Sequence, residues 1–248
     1  MDVQADLDKF NVLASNNRIN NRPWFQGLGG QWWWGLTEAQ ARKQLLLSYG
    51  DKIVDLAKGI PEHNYEKYYE LKKGDIFVDV GAYWCRYGLI ACKKGCKVIM
   101  IEPSPEGQYI INKIIEIEKL ENIILITDSI GKERKRQNFI VNGQQLGHRL
   151  LETEIGFRGE CIEVNVNTLD NILEELGIEK VDLLAADCEN AEVNMVIGAE
   201  KYLKEKRIKN VAIAVYHSPN NHQLIIDILR KKGFNDIRYD DGMVYGGL

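Results

Sequence analysis

Short runs of apolar residues alternate with longer amphipathic stretches along most of the chain after residue 70. Five strands are predicted from the runs, at 76–80, 97–102, 123–127, 181–186 and 210–216. Runs of this length without polar alternation are typical of strands that a parallel sheet buries on both faces. Helices are predicted from the stretches between them, at 87–94, 106–120, 171–176, from about 193 onwards and at 223–232. The pattern therefore predicts an α/β fold with a mostly parallel sheet.

The last two apolar runs predict a hairpin that closes the sheet. They cover 234–239 and 243–245 and flank Asp240-Asp241-Gly242. An Asp-Gly pair between two such runs is a strong hairpin signal. We therefore expect one antiparallel strand near 243–245 beside the parallel strands.

The regular alternation is interrupted between residues 131 and 166. Two strands are predicted there, at 137–142 and 161–166, on either side of a polar loop at 143–160 that contains His148. Loops of this length are often functional lids. We expect this loop to cover a bound substrate; a loop that merely tolerates sequence variation is the alternative.

The first seventy residues have a different pattern, and 1–70 is interpreted as a helical, tryptophan-rich extension of a domain at 71–248. Thr37 opens a helix with a capping box, a short helix is expected at 51–58, and three tyrosines recur at helical spacing after Pro61. Before these helices, the run at 32–34 consists of three tryptophans among glycines. All three cannot face one core, so the run either docks the extension, stacks on sugar rings or forms a dimer contact.

The strongest functional signal surrounds the first predicted strand. That strand ends at Gly81, where glycine permits a sharp turn, and the next strand ends at Glu102. An acid about 20 residues beyond such a turn is typical of βαβ units that bind the ribose of a nucleotide. Tyr83 and Arg86 occupy the next two glycine positions of the dinucleotide motif, which disfavours a nicotinamide cofactor. Asp79, two residues before Gly81, favours S-adenosylmethionine; an ordinary βαβ unit with a terminal acid is the alternative.

At this point the sequence resembles a known family. DVGAYWCRYG and IEPSP, followed by VNTLDNIL and VDLLAADCENAE, are similar to four ordered motifs of the FkbM-type S-adenosylmethionine-dependent methyltransferases. The resemblance covers the chain from Lys72 to Phe234. It implies a Rossmann-like class I methyltransferase sheet, with N-terminal helices over the cofactor and acceptor clefts. It also implies methylation of a hydroxyl on a glycan, a glycolipid or a related small molecule.

Three residues depart from the motifs that this family usually has. Tyr83 and Cys85 stand where the family has Asn and its second Gly, and Asn190 stands where it has Gly. Asn tolerates left-handed backbone conformations, so the turn at 190 is expected to be kept. The two changes in the cofactor loop leave a second hypothesis open, a protein that binds S-adenosylmethionine or a partner without catalysis.

The candidate site residues come from the turn, the strand ends and the resemblance. The cofactor is expected to contact Asp79, Gly81, Ala82, Tyr83, Cys85, Glu102, Pro103, Asp128, Ser129 and Asp187. A hydroxyl acceptor must lose a proton, which a positioned base can remove. Asp187 and His217, at neighbouring strand ends, are the leading catalytic candidates, and His148 in the polar loop is a third. Asp187 and Glu189 lack a third ligand in the sequence, so no metal site is predicted.

Composition and charge limit the remaining alternatives. The 248 residues are 45% apolar and 27% charged, with a net charge of -4, as in ordinary soluble globular proteins. This charge argues against a nucleic-acid partner and makes RNA methylation the weaker alternative, although a basic run lies at 132–136. No apolar stretch is long enough to span a bilayer, the first ten residues are unlike a secretory signal, and the five cysteines form no metal or disulfide pattern. We therefore expect a cytoplasmic protein.

Overall fold

The computed structural model describes most of the chain after residue 62 and short segments before it. The described residues are 18–19, 22–23, 25–26, 32–33, 47, 50–53, 57–58, 61, 63–141, 149–150, 160–218 and 220–248. Within these ranges, no helix is long and apolar enough to cross a membrane. The helix predicted from Thr37, the side chains of the tryptophan run and most of the polar loop, including His148, lie outside the described residues.

The strands described after residue 70 form two sheets. In chain order they are β1 (Ile76–Val80), β2 (Lys97–Ile101), β3 (Ile123–Ile126), β4 (Ser129–Ile130), β5 (Lys135–Val141), β6 (Arg149–Leu150), β7 (Glu160–Asn167), β8 (Leu183–Ala186), β9 (Asn210–Ala214), β10 (Asp236–Asp240) and β11 (Met243–Gly247). The main sheet has the order β10-β11-β9-β8-β1-β2-β3. Its members from β9 to β3 are parallel neighbours, and β11 runs antiparallel to both β9 and β10. The predicted Rossmann-like sheet with one antiparallel strand is confirmed.

Helices cover both faces of this sheet. They are α1 (Arg86–Lys93), α2 (Pro105–Glu118), α3 (Leu169–Glu175), α4 (Glu192–Ile197), α5 (Glu200–Lys204) and α6 (Asn221–Lys231). Successive residues of a strand point to opposite faces, and here both faces are apolar. Phe77 and Val98 belong to one buried cluster, and Val78 and Ile99 belong to the cluster on the other side. This two-sided burial is why the strands show no polar alternation.

The predicted signals at two element ends are confirmed. The Thr168 side chain accepts a hydrogen bond from Asn171 N over 3.2 Å at the start of α3. Between β10 and β11, Asp241 and Gly242 have φ values of 49° and 73°, as a type I′ hairpin turn requires. The turn brings the hairpin to the carboxyl end of β9, where Val215 N donates to Gly242 O over 2.8 Å.

The second sheet has the order β6-β5-β7-β4 and contains the two strands predicted around the polar loop. β5 and β7 are antiparallel, and their apolar residues form a small core of Phe139, Val141, Val164 and Val166. The end of β7 pairs in parallel with β4, with Val166 opposite Ser129. This pairing fixes Ser129 just beyond the carboxyl end of β3.

In the segment between residues 50 and 70, the described helical residues lie only at the first predicted helix. Gly50–Ile53 is a short 3-10 helix, Ala57 is helical, and the described residues of 61–70 are turns and bends. The tyrosines make three separate contacts: Tyr65 packs on Tyr87 with ring centroids 4.6 Å apart, Tyr68 donates to Asp240, and Tyr69 donates to Asp75. These contacts, two of them with residues far along the chain, outweigh local helix formation, for which Tyr is a modest residue. The domain boundary at residue 70 stays a prediction.

Candidate active site

The loop after β1 is shaped by the close approach of two strand ends. Gly81 has a φ of +85°, which residues with a side chain rarely adopt. A Cβ atom at this position would lie 2.0 Å from the backbone oxygen of Asp187. The Asp187 N–H, in turn, donates to Val80 O over 2.9 Å. Glycine is therefore required here for β1 and β8 to end side by side.

A cavity of about 250 Å³ lies at the carboxyl ends of the parallel strands, where open α/β sheets bind ligands. Many residues predicted to contact the cofactor line it, namely Asp79, Gly81, Ala82, Tyr83, Glu102, Pro103, Ser129 and Asp187. Aromatic side chains form much of the remaining wall, among them His63, Tyr65, Trp84 and Tyr216. The predicted cofactor loop, the ribose acid and Asp187 thus share one cavity.

Two predicted cofactor residues are not among the described residues that line this cavity. Cys85 is fully buried, with Sγ 3.7 Å from Met100 Sδ, and it precedes α1 with a left-handed φ of 58°. That conformation explains why glycine suits this position in the family. Asp128 accepts a hydrogen bond from Asn167 Nδ2 over 3.2 Å. Both assignments stay predictions; in the structure Cys85 packs against Met100, and Asp128 ties the start of β4 to the end of β7.

Asp79 and Glu102 are buried carboxylates on the cavity wall, each 4% exposed. Burial raises the pKa of Asp79 to about 7, and the charges of Asp187 and Glu102 act in the same direction. Burial likewise raises the pKa of Glu102 to about 7, against hydrogen bonds from Ser104 and from the backbone of Tyr83 that favour the ionised form.

Asp187 contacts two side chains that the sequence analysis did not single out. Tyr216 donates to the carboxylate, with its hydroxyl 3.1 Å from Oδ1 and 2.9 Å from Oδ2. His63 Nε2 lies 3.4 Å from Asp187 Oδ2 and 3.4 Å from the Tyr216 hydroxyl oxygen. Tyr216 precedes His217 at a strand end, so its position was open to sequence reasoning. His63 comes from the segment before β1 and carries no local motif.

His217 lies next to Asp187 and close to three carboxylates in all. Its Nε2 is 3.5 Å from Asp187 Oδ1 and 3.4 Å from Glu189 Oε2, and its Nδ1 is 3.1 Å from Glu192 Oε1. Burial of the ring lowers its pKa, but the surrounding carboxylates outweigh burial and raise the pKa of His217 to about 10. The structure thus brings the predicted pair together, although the imidazole is not among the described residues that line the cavity.

The turn after Asp187 holds this cluster in place. Glu189 and Asn190 have left-handed φ values of 51° and 72°, so Asn190 adopts the conformation expected of it. Glu192, the first residue of α4, accepts a hydrogen bond from Cys188 N over 3.1 Å. The turn thereby places one carboxylate near each nitrogen of the His217 ring.

Comparison with known protein families identifies the domain. Residues 73–235 match the methyltransferase FkbM domain. The chain belongs to the FkbM methyltransferase family. The FkbM domain is thus an S-adenosylmethionine-dependent methyltransferase domain by family, and its extent agrees with the four motifs.

The FkbM domain also has similarity to individual proteins. AMB antimetabolite synthetase AmbE of Pseudomonas aeruginosa is 24% identical over 131 residues, which cover 48% of this chain and 6% of the synthetase. This chain therefore spans a small fraction of that relative's length. Precorrin-6y C5,15-methyltransferase from Geobacter metallireducens is 11% identical with a TM-score of 0.42, covering 71% of this chain and 81% of the other. The fibrillarin pre-rRNA processing protein of Methanococcus jannaschii is 15% identical with a TM-score of 0.41, covering 93% and 83%.

One group of side chains in the FkbM domain has the composition of a metal site. Ligand atoms of Asp187, Glu192 and His217 all lie within 4.8 Å of one another. The sequence analysis found no third ligand, because these residues belong to three separate elements. Only the folded chain brings Glu192 and His217 to Asp187.

The basic run of the FkbM domain is largely paired with acids. Arg134 lies 2.9 Å from Glu175, and Arg136 lies 3.1 Å from Glu163. These are exposed pairs on and near the second sheet. Much of the positive charge of the run is thus offset locally.

Proposed function

We propose that the protein transfers a methyl group from S-adenosylmethionine to a hydroxyl of a glycan, a glycolipid or a related small molecule. The observation that carries the proposal is a single cavity that joins the cofactor loop to Asp187, Tyr216 and His63. A methyltransferase needs its methyl donor and its acceptor base in one desolvated space. The wall of this cavity carries both the residues that would bind the donor and the residues that could act as the base.

The residues present fit the cofactor. Glycine at position 81 lets the cofactor loop lie directly against the Asp187 backbone, where a Cβ atom would collide. Glu102 ends β2, where its carboxylate can accept hydrogen bonds from the ribose hydroxyls. Asp79, Glu102 and Asp187 give the cavity an acidic wall that attracts the positively charged sulfonium and ammonium groups. When bound, S-adenosylmethionine supplies a sulfonium methyl group for in-line displacement by an acceptor oxygen, with S-adenosylhomocysteine as the leaving group.

His63 is the base that we propose for the acceptor hydroxyl. It lines the cavity, and its Nε2 lies 3.4 Å from Asp187 Oδ2. A carboxylate beside an imidazole orients the ring and stabilises the imidazolium that forms when it accepts a proton. Tyr216 donates to the same carboxylate and keeps it in place. Asp187 therefore positions the base and also belongs to the cavity wall.

The entrance of the cavity supports an acceptor with an apolar face and several hydroxyls. Tyr216 is 50% exposed, and its ring centroid lies 5.3 Å from that of His63. Aromatic rings combine an apolar face with a polar edge, which suits carbohydrate-like molecules. The aromatic wall is the specific support for a sugar-bearing acceptor over a simple alcohol.

Two measurements test this function. Calorimetry with S-adenosylhomocysteine measures cofactor binding, and transfer of radiolabelled methyl groups to monosaccharides, glycolipids and polyketide-like alcohols measures the reaction. His63→Gln should reduce transfer by at least about a hundredfold while cofactor affinity stays within about twofold. The control is His222→Gln, because His222 stacks on Tyr239 with centroids 5.0 Å apart and is not among the described cavity residues.

The outcomes separate the alternatives. Unchanged transfer by His63→Gln would refute the proposed base. Cofactor binding without transfer to any acceptor class would favour the protein that binds without catalysis. Transfer to RNA that exceeds transfer to all hydroxylated small molecules would refute the acceptor class.

A further inference from the structure

We propose that Asp187, Glu192 and His217 form a binding site for one divalent metal ion at the wall of the cavity. Asp187 follows β8, Glu192 opens α4, and His217 lies three residues beyond Ala214, the last residue of β9. Three rigid elements thus deliver two carboxylates and one imidazole to one place. Carboxylate oxygens and imidazole nitrogens are common protein ligands of divalent cations.

The spacing of these atoms fits coordination of one ion. Ligand atoms about 2.1 Å from a common ion lie about 3 Å apart at right angles and about 4.2 Å apart on opposite sides. The three ligand atoms here lie within 4.8 Å of one another. Small side-chain rotations are therefore enough to bring them to coordination distance.

The buried carboxylate of Glu192 is an independent observation that points to a bound cation. The residue is 0% exposed. Its Oε1 accepts from Cys188 N, whereas its Oε2 is buried without a hydrogen-bond partner in the described part of the chain. A buried carboxylate oxygen of this kind is costly unless a proton or a cation satisfies it. The same carboxylate lies against the His217 ring, so a cation beside that ring would satisfy it.

The nitrogens of the His217 ring likewise lack well-aligned hydrogen bonds within the described residues. Both of its nitrogens are buried, and neither has a well-aligned hydrogen bond among the described residues, although carboxylate oxygens lie 3.1 to 3.5 Å away. Three carboxylates, from Asp187, Glu189 and Glu192, converge on this single imidazole. Negative charge is therefore in excess, and a divalent cation would offset it.

Two carboxylates and one imidazole favour a cation that accepts both oxygen and nitrogen ligands, and Mn²⁺ is the probe that we choose. Asp187 lines the cavity, so the bound ion would have its open coordination positions on that side. If the proposed methyl transfer to a hydroxyl is right, an acceptor oxygen would bind there and become more acidic. The metal site itself does not depend on that reaction.

Titration of the full chain with Mn²⁺ tests the site. The protein is first treated with a chelator, and free Mn²⁺ is then followed by electron paramagnetic resonance. We expect saturable binding of one ion per chain. Asp187→Asn and Glu192→Gln should each weaken Mn²⁺ binding by at least about tenfold. The matched control is Glu163→Gln, an exposed carboxylate on the second sheet that should leave Mn²⁺ affinity unchanged.

The variants differ in the risk of misfolding. Glu192 is buried, so Glu192→Gln is compared with the wild type by circular dichroism before it is judged. Asp187 is half-buried, and Asp187→Asn provides the same test where a change of charge is better tolerated. Absence of saturable Mn²⁺ binding by the wild type would overturn the proposal, and so would wild-type affinity in folded Asp187→Asn protein.

S-adenosylhomocysteine affinity is measured on the same samples without metal. Cofactor binding with no Mn²⁺ binding overturns the metal site alone. Mn²⁺ binding that responds to Asp187→Asn, with no cofactor binding, supports the metal site and overturns the proposed methyl transfer.

Discussion

Gly81→Ala adds one methyl group at the point where β1 and β8 end side by side. The new Cβ would lie 2.0 Å from the Asp187 backbone oxygen, and real Cβ atoms essentially never approach another heavy atom within 3.0 Å. The backbone at Asp187 must therefore move by about 1 Å or more. That movement would strain the hydrogen bond from Asp187 N to Val80 O.

Two costs combine in this variant. A left-handed conformation costs an L-residue about 1–2 kcal/mol, and overpacking against rigid neighbours costs about 1–3 kcal/mol. Gly74→Ala measures the conformational cost alone, because Gly74 has a φ of +89°, close to that of Gly81, and nothing lies within 4 Å of its Cβ position. We expect Gly74→Ala to lower the free energy of unfolding by about 1–2 kcal/mol and Gly81→Ala to lower it by about 2–5 kcal/mol.

Urea denaturation followed by circular dichroism measures both values, and calorimetry with S-adenosylhomocysteine measures the site. Gly81→Ala should lose at least about tenfold in affinity because the displaced strand end forms the cavity wall, whereas Gly74→Ala should keep its affinity. Equal losses of stability in the two variants would refute the close contact of Gly81 with Asp187. Unchanged affinity in folded Gly81→Ala protein would refute the position of the cofactor.

Three further variants test individual side chains. Burial raises the pKa of Glu102 from 4.5 to about 7, so its contribution to stability is present below about pH 4.5 and is lost as the pH rises to about 7. Urea denaturation at about pH 5 and about pH 8 measures how far the free energy of unfolding falls between these pH values. The fall should be smaller by about 2–3 kcal/mol in Glu102→Gln than in the wild type. An equal fall in both proteins would contradict the effect of burial on Glu102. Glu102→Gln should also weaken S-adenosylhomocysteine binding at least roughly tenfold in calorimetry, because charge-assisted hydrogen bonds are lost. Cys85→Gly relieves a left-handed conformation but loses buried contacts. Urea denaturation should therefore give a free energy of unfolding within about 1 kcal/mol of the wild type. A loss of cofactor affinity would count against the position of Cys85 beneath the loop. Thr168→Ala removes the cap of α3 and should cost about 1 kcal/mol in urea denaturation, whereas Thr168→Ser should not.

The main sheet could be predicted because its physical causes are local. Strands buried on both faces leave continuous apolar runs, as at residues 98–101 in β2 and along the whole of β8. Asp241 and Gly242 specify their own turn through the left-handed conformations that they tolerate. The adjacency of β1 and β8 then follows from the topology, and it places Asp187 beside the cofactor loop.

Other features depend on which side of a segment faces the cavity, and a linear motif does not contain that information. Cys85 belongs to the cofactor loop by sequence, yet its left-handed φ turns it beneath the loop and towards Met100. Tyr65, Tyr68 and Tyr69 have helical spacing, but each contacts a different partner outside that spacing. Spacing alone cannot distinguish a helix face from a series of independent anchors.

Asp187 connects the two halves of the site, and this determines how the variants must be compared. Its Oδ1 faces His217, and its Oδ2 faces His63 and the Tyr216 hydroxyl. Asp187→Asn should therefore weaken metal binding on one side and disturb the proposed base on the other. Only variants on a single side can assign an effect to one role. Glu192→Gln acts behind His217, and His63→Gln acts at the cavity wall. If the two roles are separate, His63→Gln reduces methyl transfer without changing Mn²⁺ affinity, and Glu192→Gln changes Mn²⁺ affinity directly.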